Sequence, residues 1–351
     1  MYQGIKDIRE LCYRVEEMTK TKQDFIVNTG RLDMIYDDKV YLHAENGRKD
    51  YTFSINDLTH QQIAGRLKIP YKYYMKMFNE NPVLLTENVN TWFRQFPENR
   101  MIRTFNNRAR AFLSNKYMRR DNHDLLRMAL PELKEVPGLK VASCNLNDEK
   151  LYIKTTTDRL KADVIPGDTV QAGIVISNSE VGLGSFRVEP LIFRLVCENG
   201  MIAADWGMKK YHVGRRISHD EEQIAAYTEE TLKADDQAFW LKARDILRAA
   251  LKEETFREIV DHLSLTTENR IEIKPKETVE RMTRIYQLKE EEADDLLTEL
   301  LSAGDINQYG LINATTVASK QAVTYERATD LERLAGQIMS MDQKKWREIA
   351  A

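Results

Sequence analysis

Cysteine is scarce. Cys12, Cys144 and Cys197 are odd in number and widely spaced over 351 residues. That argues against a disulfide framework or a thiolate metal centre and fits a reducing, cytoplasmic setting. The six histidines (His43, His60, His123, His212, His219 and His262) form no i, i+4 pair with a third ligand, so no metal or other cofactor is expected. His212 and His219 beside Asp220 and Glu221 come nearest to a ligand set. No run of about 18 apolar residues occurs, which argues against a membrane span. Residues 1–10 are charged and helix-like, with no apolar signal core. Phosphate-loop and nucleophile-elbow patterns are missing as well. Gly182-Leu183-Gly184 reads as a turn, Cys197 as an inert strand thiol, and Glu290, Glu291, Glu292, Asp294 and Asp295 as a solvated helix face. No catalytic residue emerges, and binding without catalysis is favoured over an enzyme with an unfamiliar site.

What is present suits a folded protein of two or three domains, with 42% hydrophobic and 30% charged residues. The net charge of −3 hides an asymmetry: residues 1–216 carry 34 Lys and Arg against 27 Asp and Glu, and residues 217–351 carry 18 against 28. A basic first part hints at an anionic partner, although charge runs are more often solvated faces.

Ile5, Ile8, Leu11, Cys12, Val15 and Met18 recur at helical spacing, and short strands follow near 25–27, 34–36 and 40–42. Asp57 is the expected N-cap of a helix through Leu67, Pro70 starts a second through Phe78, and Pro82 a third that Pro97 ends. Residues 62–74 have the order of a helix–turn–helix, whose second helix would present Lys72, Tyr73, Lys76 and Asn79 to phosphates or base edges. The plainer alternative packs Ile63, Leu67, Ile69 and Tyr74 into a local core, and it is preferred because no third helix clearly completes the unit.

Residues 100–120 hold Arg100, Arg103, Arg108, Arg110, Lys116, Arg119 and Arg120 with one acid nearby, Glu98, and with Phe105, Phe112 and Tyr117 interleaved. Asn106-Asn107 marks a β-hairpin turn. Guanidinium forks suit phosphates, and aromatic faces suit unpaired bases. Equally weighted is a hairpin whose aromatics are core and whose arginines pair with distant carboxylates. Asp121 caps the next helix, and strands at 141–146 and 151–157 flank Asn147-Asp148. A second basic and aromatic segment holds Trp206, Lys209, Lys210, Tyr211, His212, Arg215 and Arg216. Two such segments side by side on a sheet would form a cationic track. Beyond residue 218 the pattern is helical, with Leu232, Phe239, Trp240, Ala243, Ile246, Leu247 and Ala250 on one stripe. Such a stripe is more often core than an oligomer seam.

Between these segments, Val170, Ala172, Ile174 and Ile176 alternate with Gln171, Gly173, Val175 and Ser177 in the two-residue period of a strand. A three-stranded meander follows, with Pro190 at an edge or bulge and Asn199-Gly200 as the hairpin turn. Ser177-Asn178-Ser179, residues 184–188, Arg194 to Cys197 and Asn199-Gly200-Met201 together resemble the domain-of-unknown-function 932 family. The likeness extends to Ile63-Ala64, Ile69-Pro70, Tyr73-Tyr74, Arg110 to Ser114 and Tyr117, over roughly residues 55–216. The resemblance implies a phage- or plasmid-borne protein in a bacterial host, and it implies no reaction.

The expected architecture is α+β: a mixed region, 1–216, around an antiparallel sheet, followed by an all-helical region, 217–351. The leading functional reading is nucleic-acid binding, with single-stranded DNA favoured, in recombination or replication. Its expected contacts are Arg103, Arg108, Arg110, Phe112, Lys116, Tyr117, Arg119, Arg187, Lys209, Lys210, Tyr211 and Arg215. The rivals are a factor acting on a host protein through the acidic helices, and a nucleic-acid-modifying enzyme; a homo-oligomer is compatible with each.

Overall fold

The computed structural model describes residues 4–5, 7–45, 49–204 and 229–351. Helix α1 (Ile8–Thr21) opens the chain, capped by the Asp7 carboxylate on the Arg9 amide. Strands β1 (Lys22–Asn28), β2 (Leu32–Tyr36), β3 (Val40–Glu45) and β4 (Asp50–Ile55) follow. Helices α2 (Asp57–Arg66), α3 (Tyr71–Glu80) and α4 (Pro82–Gln95) precede the hairpin β5 (Asn99–Phe105) and β6 (Arg108–Ser114). The six strands form one mixed sheet in the order β1-β5-β6-β4-β3-β2, where β4 and β6 run parallel.

Local chemistry sets the boundaries. Asn106 and Asn107 take φ of 50° and 59°, the left-handed pair a two-residue hairpin turn needs. Asn56, rather than Asp57, is the cap of α2: its side chain accepts the Thr59 amide at 2.9 Å, and Asp57 becomes the first helical residue. Met34, Leu42 and Phe53 from the sheet meet Ile63, Tyr74, Leu85, Val89 and Phe93 from the helices in one core.

Inside that core His60 Nδ1 lies 2.8 Å from the Tyr74 hydroxyl. Burial pushes the His60 imidazole down to about 4, so it is neutral at pH 7. In the unfolded chain it would take up a proton near pH 6.5. Stability that is full above that pH is therefore lost as pH falls toward 4, by about 2 kcal/mol between pH 7 and pH 5. His60→Gln removes this titration and should flatten the fall in thermal midpoint over that range; an unchanged pH profile would count against it.

The second half contains α5 (Asn122–Lys134), β7 (Leu139–Leu146), β8 (Leu151–Ile165), β9 (Asp168–Asn178), β10 (Arg187–Arg194) and β11 (Asn199–Ile202). Then come α6 (Glu229–Ala250), α7 (Glu253–Leu265), α8 (Pro275–Tyr286), α9 (Glu290–Ala303), α10 (Gln308–Ala318), α11 (Tyr325–Met339) and α12 (Gln343–Ala350). The five strands form an antiparallel sheet in the order β11-β10-β9-β8-β7. The protein is thus α+β.

Both faces of this sheet are buried. Ile174 and Ile176 join a core with α1, α5 and α6, while Val170 and Ala172 pack with the C-terminal helices. On the opposite face Val175 and Leu191 cluster with Ile202. There α11 approaches so closely that a Cβ on Gly336 would lie 2.0 Å from the Ile202 carbonyl oxygen. The helices beyond residue 217 therefore share their cores with β8, β9, β10 and β11, and the boundary expected near residue 216 is not a break in packing.

Two details of the meander differ from expectation. Asn199 and Gly200 are strand residues paired with Arg194 and Phe193, and the left-handed turn residue is Glu198, with φ of 48°. Tertiary contact decides this, because the buried Asn199 amide donates to Thr316 Oγ1 at 2.6 Å. Pro190 lies in an inner strand. Its carbonyl accepts from the Ala203 amide, just past the end of β11. In an antiparallel strand a residue's N and C=O face the same neighbour, so the missing donor faces a side where the ladder has run out. Among the described residues no helix is long and apolar enough to cross a membrane.

Candidate nucleic-acid interface

The two strongest hairpin arginines point into the protein. Arg103, on β5, is fully buried: it donates through Nε to Asp24 (2.8 Å), through Nη2 to Asp121 (2.7 Å) and through Nη1 to the Glu180 carbonyl (2.9 Å). Arg110, on β6, is buried against the Glu180 carboxylate. Lys22 reaches Glu180 at 2.8 Å and Asp121 at 3.1 Å, and Arg119 reaches Asp24 at 3.0 Å. Four cations and three carboxylates thus meet where β1, β5 and β6 abut the start of α5 and the loop after β9. Burial opposes ionisation of Glu180 and Asp121. The adjacent cations more than offset it, Arg110 and Lys22 at Glu180 and Arg103 and Lys22 at Asp121, and hold both below the usual carboxylate range. Asp121 is spent on these ion pairs and makes no capping bond to α5. The arrangement is a clamp between the two sheets.

Arg103 and Arg110 therefore leave the set of expected contacts, because each guanidinium is already enclosed by acids. Phe112 leaves it too: it is buried in the core, stacked on Phe93 with centroids 5.8 Å apart. Tyr117 is half-buried and donates to the Ser179 carbonyl (3.1 Å). The aromatic platform expected for unpaired bases is thus not on the hairpin surface. The outer cations remain reachable. Arg108 is 40% exposed beside Asp148, Arg119 is 51% exposed, and Arg187 is 41% exposed, 3.8 Å from Glu189. Lys116 is half-buried. Lys209, Lys210, Tyr211 and Arg215 lie outside the described residues, and so does the track they were to complete with the hairpin.

A different surface carries cations outward. The Lys72, Tyr73, Lys76 and Asn79 side chains on α3 are all exposed, and Lys68 in the preceding turn is exposed as well. Lys68 takes φ of 57°. Its amide bonds to the Gly65 carbonyl (3.2 Å) and the Ile69 amide to that of Ala64 (2.9 Å), the paired bonds of a Schellman helix end. Glycine is usual at that left-handed position, and a side chain there costs about 1 kcal/mol. Lys68→Gly should therefore stabilise the fold by about 1 kcal/mol, a rise of roughly 2–4 °C in the thermal midpoint; a lower midpoint would refute the strain.

The other polar concentrations are structural. Arg194 grips Asp168 through Nε and Nη2, Tyr309 donates to the same carboxylate at 2.6 Å, and Lys320 bonds the Cys197 carbonyl. Cys197 lies in the β10–β11 turn rather than in a strand, with Arg194 Nη1 at 3.4 Å. The cavity beside this cluster is about 10 Å³, too small for a metabolite. The larger open cleft between α5 and α6 is lined by groups that pair among themselves, Arg248 with Glu132 and Arg159 with the Leu251 carbonyl. Among the described residues no group of three or more His, Cys, Asp or Glu is placed to hold a metal ion.

An α+β protein whose Arg194-to-Met201 segment ties a five-stranded sheet to a helical layer matches a known family. The profile described as "Domain of unknown function (DUF932)" matches residues 111–334, and the chain belongs to that family. The match runs further into the helical region than the resemblance read from sequence, to within α11, and it leaves out α2, α3 and α4. No curated protein and no solved structure matches the chain.

Proposed function

We propose that the protein binds nucleic acid through the cationic surface of its N-terminal region. The observation that supports this is the stretch between Asp57 and Glu80, which holds Arg66, Lys68, Lys72 and Lys76 and no carboxylate, with three of these lysines exposed on or beside one helix. Lys68 and Lys72 make no ion pair among the described residues, and Lys76 is 3.9 Å from Glu80. Arg108 can add a phosphate contact, since an exposed ion pair such as its own with Asp148 is worth only about 0–1 kcal/mol and exchanges readily. Arg119 has an exposed side chain, but its partner Asp24 is mostly buried.

Electrophoretic shifts with single- and double-stranded DNA and RNA at two salt concentrations test this. Log affinity should fall by about 0.7–0.9 per log unit of salt for each neutralised phosphate. No detectable complex with any of the four polymers at low salt would overturn the reading.

A further inference from the structure

Resting on that reading, we infer that α2 and α3 form a helix–turn–helix whose second helix enters the major groove of duplex DNA. The two helices are joined by a four-residue turn whose left-handed residue is Lys68. They are fixed to each other by the His60–Tyr74 hydrogen bond and by His60 against the Phe78 ring, with centroids 4.9 Å apart. Ile63, Ala64, Tyr74 and Met77 face the core. Helix α4, expected from Pro82 and Pro97, packs into the same core and completes the three-helix unit that the sequence did not clearly show.

One helix face is therefore committed to the interior and the other is left to solvent. At 100° per residue, Lys72, Tyr73, Lys76 and Asn79 fall together on that outer face. They are also the right chemistry for a groove. Lysine pairs with the guanine edge or a phosphate, and the first turn of such a helix, which here holds Lys72 and Tyr73, reaches the bases, with Asn79 in the last turn left for the phosphate backbone. Lys68, at the turn, is placed to meet the backbone of the same duplex. The carboxylate on that face of α3 is Glu80, at the far end of the helix and 3.9 Å from Lys76. Helices α2 and α3 lie outside residues 111–334, the part that the family profile matches.

The full chain is titrated with a random-sequence duplex and with one of its strands alone. Duplex should bind at least tenfold more tightly. Lys72→Ala with Lys76→Ala should lower duplex affinity at least tenfold and reduce the salt slope by about 2, with the thermal midpoint unchanged. Lys68→Gly should weaken duplex binding while raising the midpoint, which separates contact from folding. After selection from a randomised duplex library, Lys72→Ala should lose preference at one base position that the wild type retains. If neither polymer binds, this inference and the nucleic-acid reading both fall. If both polymers bind and the α3 variants change nothing, or binding is lost instead in Lys209→Glu with Lys210→Glu, this inference falls and the general reading stands.

Discussion

Glu180→Gln should destabilise the protein by about 3–5 kcal/mol, the loss typical of removing one partner from a buried ion pair. The substitution keeps the shape and deletes the charge. Arg110 loses its carboxylate partner and Lys22 keeps only Asp121, which leaves Asp24 and Asp121 to balance four cations. Glu180 also accepts the Asn122 amide at 2.7 Å, so the first turn of α5 loosens with it. The midpoint of urea unfolding reads the effect, and a loss under about 1 kcal/mol would refute the clamp. The pH dependence has a fixed sign. Glu180 and Asp121 titrate below their unfolded values, so their contribution is complete above about pH 4.5 and is lost as pH falls through the depressed values. The same geometry makes Arg110→Glu unsuitable as a probe of binding, because it would set two carboxylates against each other in a closed space.

Lys154→Met should cost a similar amount, about 3–5 kcal/mol, and Lys154→Met combined with Glu332→Leu should recover most of it. Lys154 on β8 and Glu332 on α11 are both fully enclosed, 2.5 Å apart, with the ammonium 4.6 Å from the centroid of the Tyr325 ring. Burial pulls the Lys154 ammonium below its usual range, and Glu332 opposes that pull. Desolvation of two charges nearly cancels their attraction, so the pair adds little over an apolar replacement, whereas either charge alone is stranded. Arg333 beside Glu189 (2.7 Å) holds the same helix face and is untouched by the change. Urea unfolding of the four proteins closes the cycle, and a double variant as unstable as the two losses summed would show that the pair is not coupled.

Much of the local structure was legible from the chain. Asn106-Asn107 has the backbone tolerance for a tight hairpin, Pro82 and Pro97 bracket α4, and the alternation from Val170 to Ile176 gives a strand. The β10–β11 turn was misplaced because Asn199 serves a tertiary contact to Thr316 rather than the turn its residue type suits.

The sequence by itself determined the helices, the strands, the family and the local excess of positive charge, because each depends on neighbours a few residues away. Only the tertiary structure decided which cations are available. Arg103 is neutralised by Asp24 and Asp121, 79 and 18 residues away, and Arg110 by Glu180, 70 residues away, so no local window holds the set. A buried arginine must find such a partner, whereas an exposed lysine on α3 is already satisfied by water, and that difference in solvation moves the candidate interface from the hairpin to the helix.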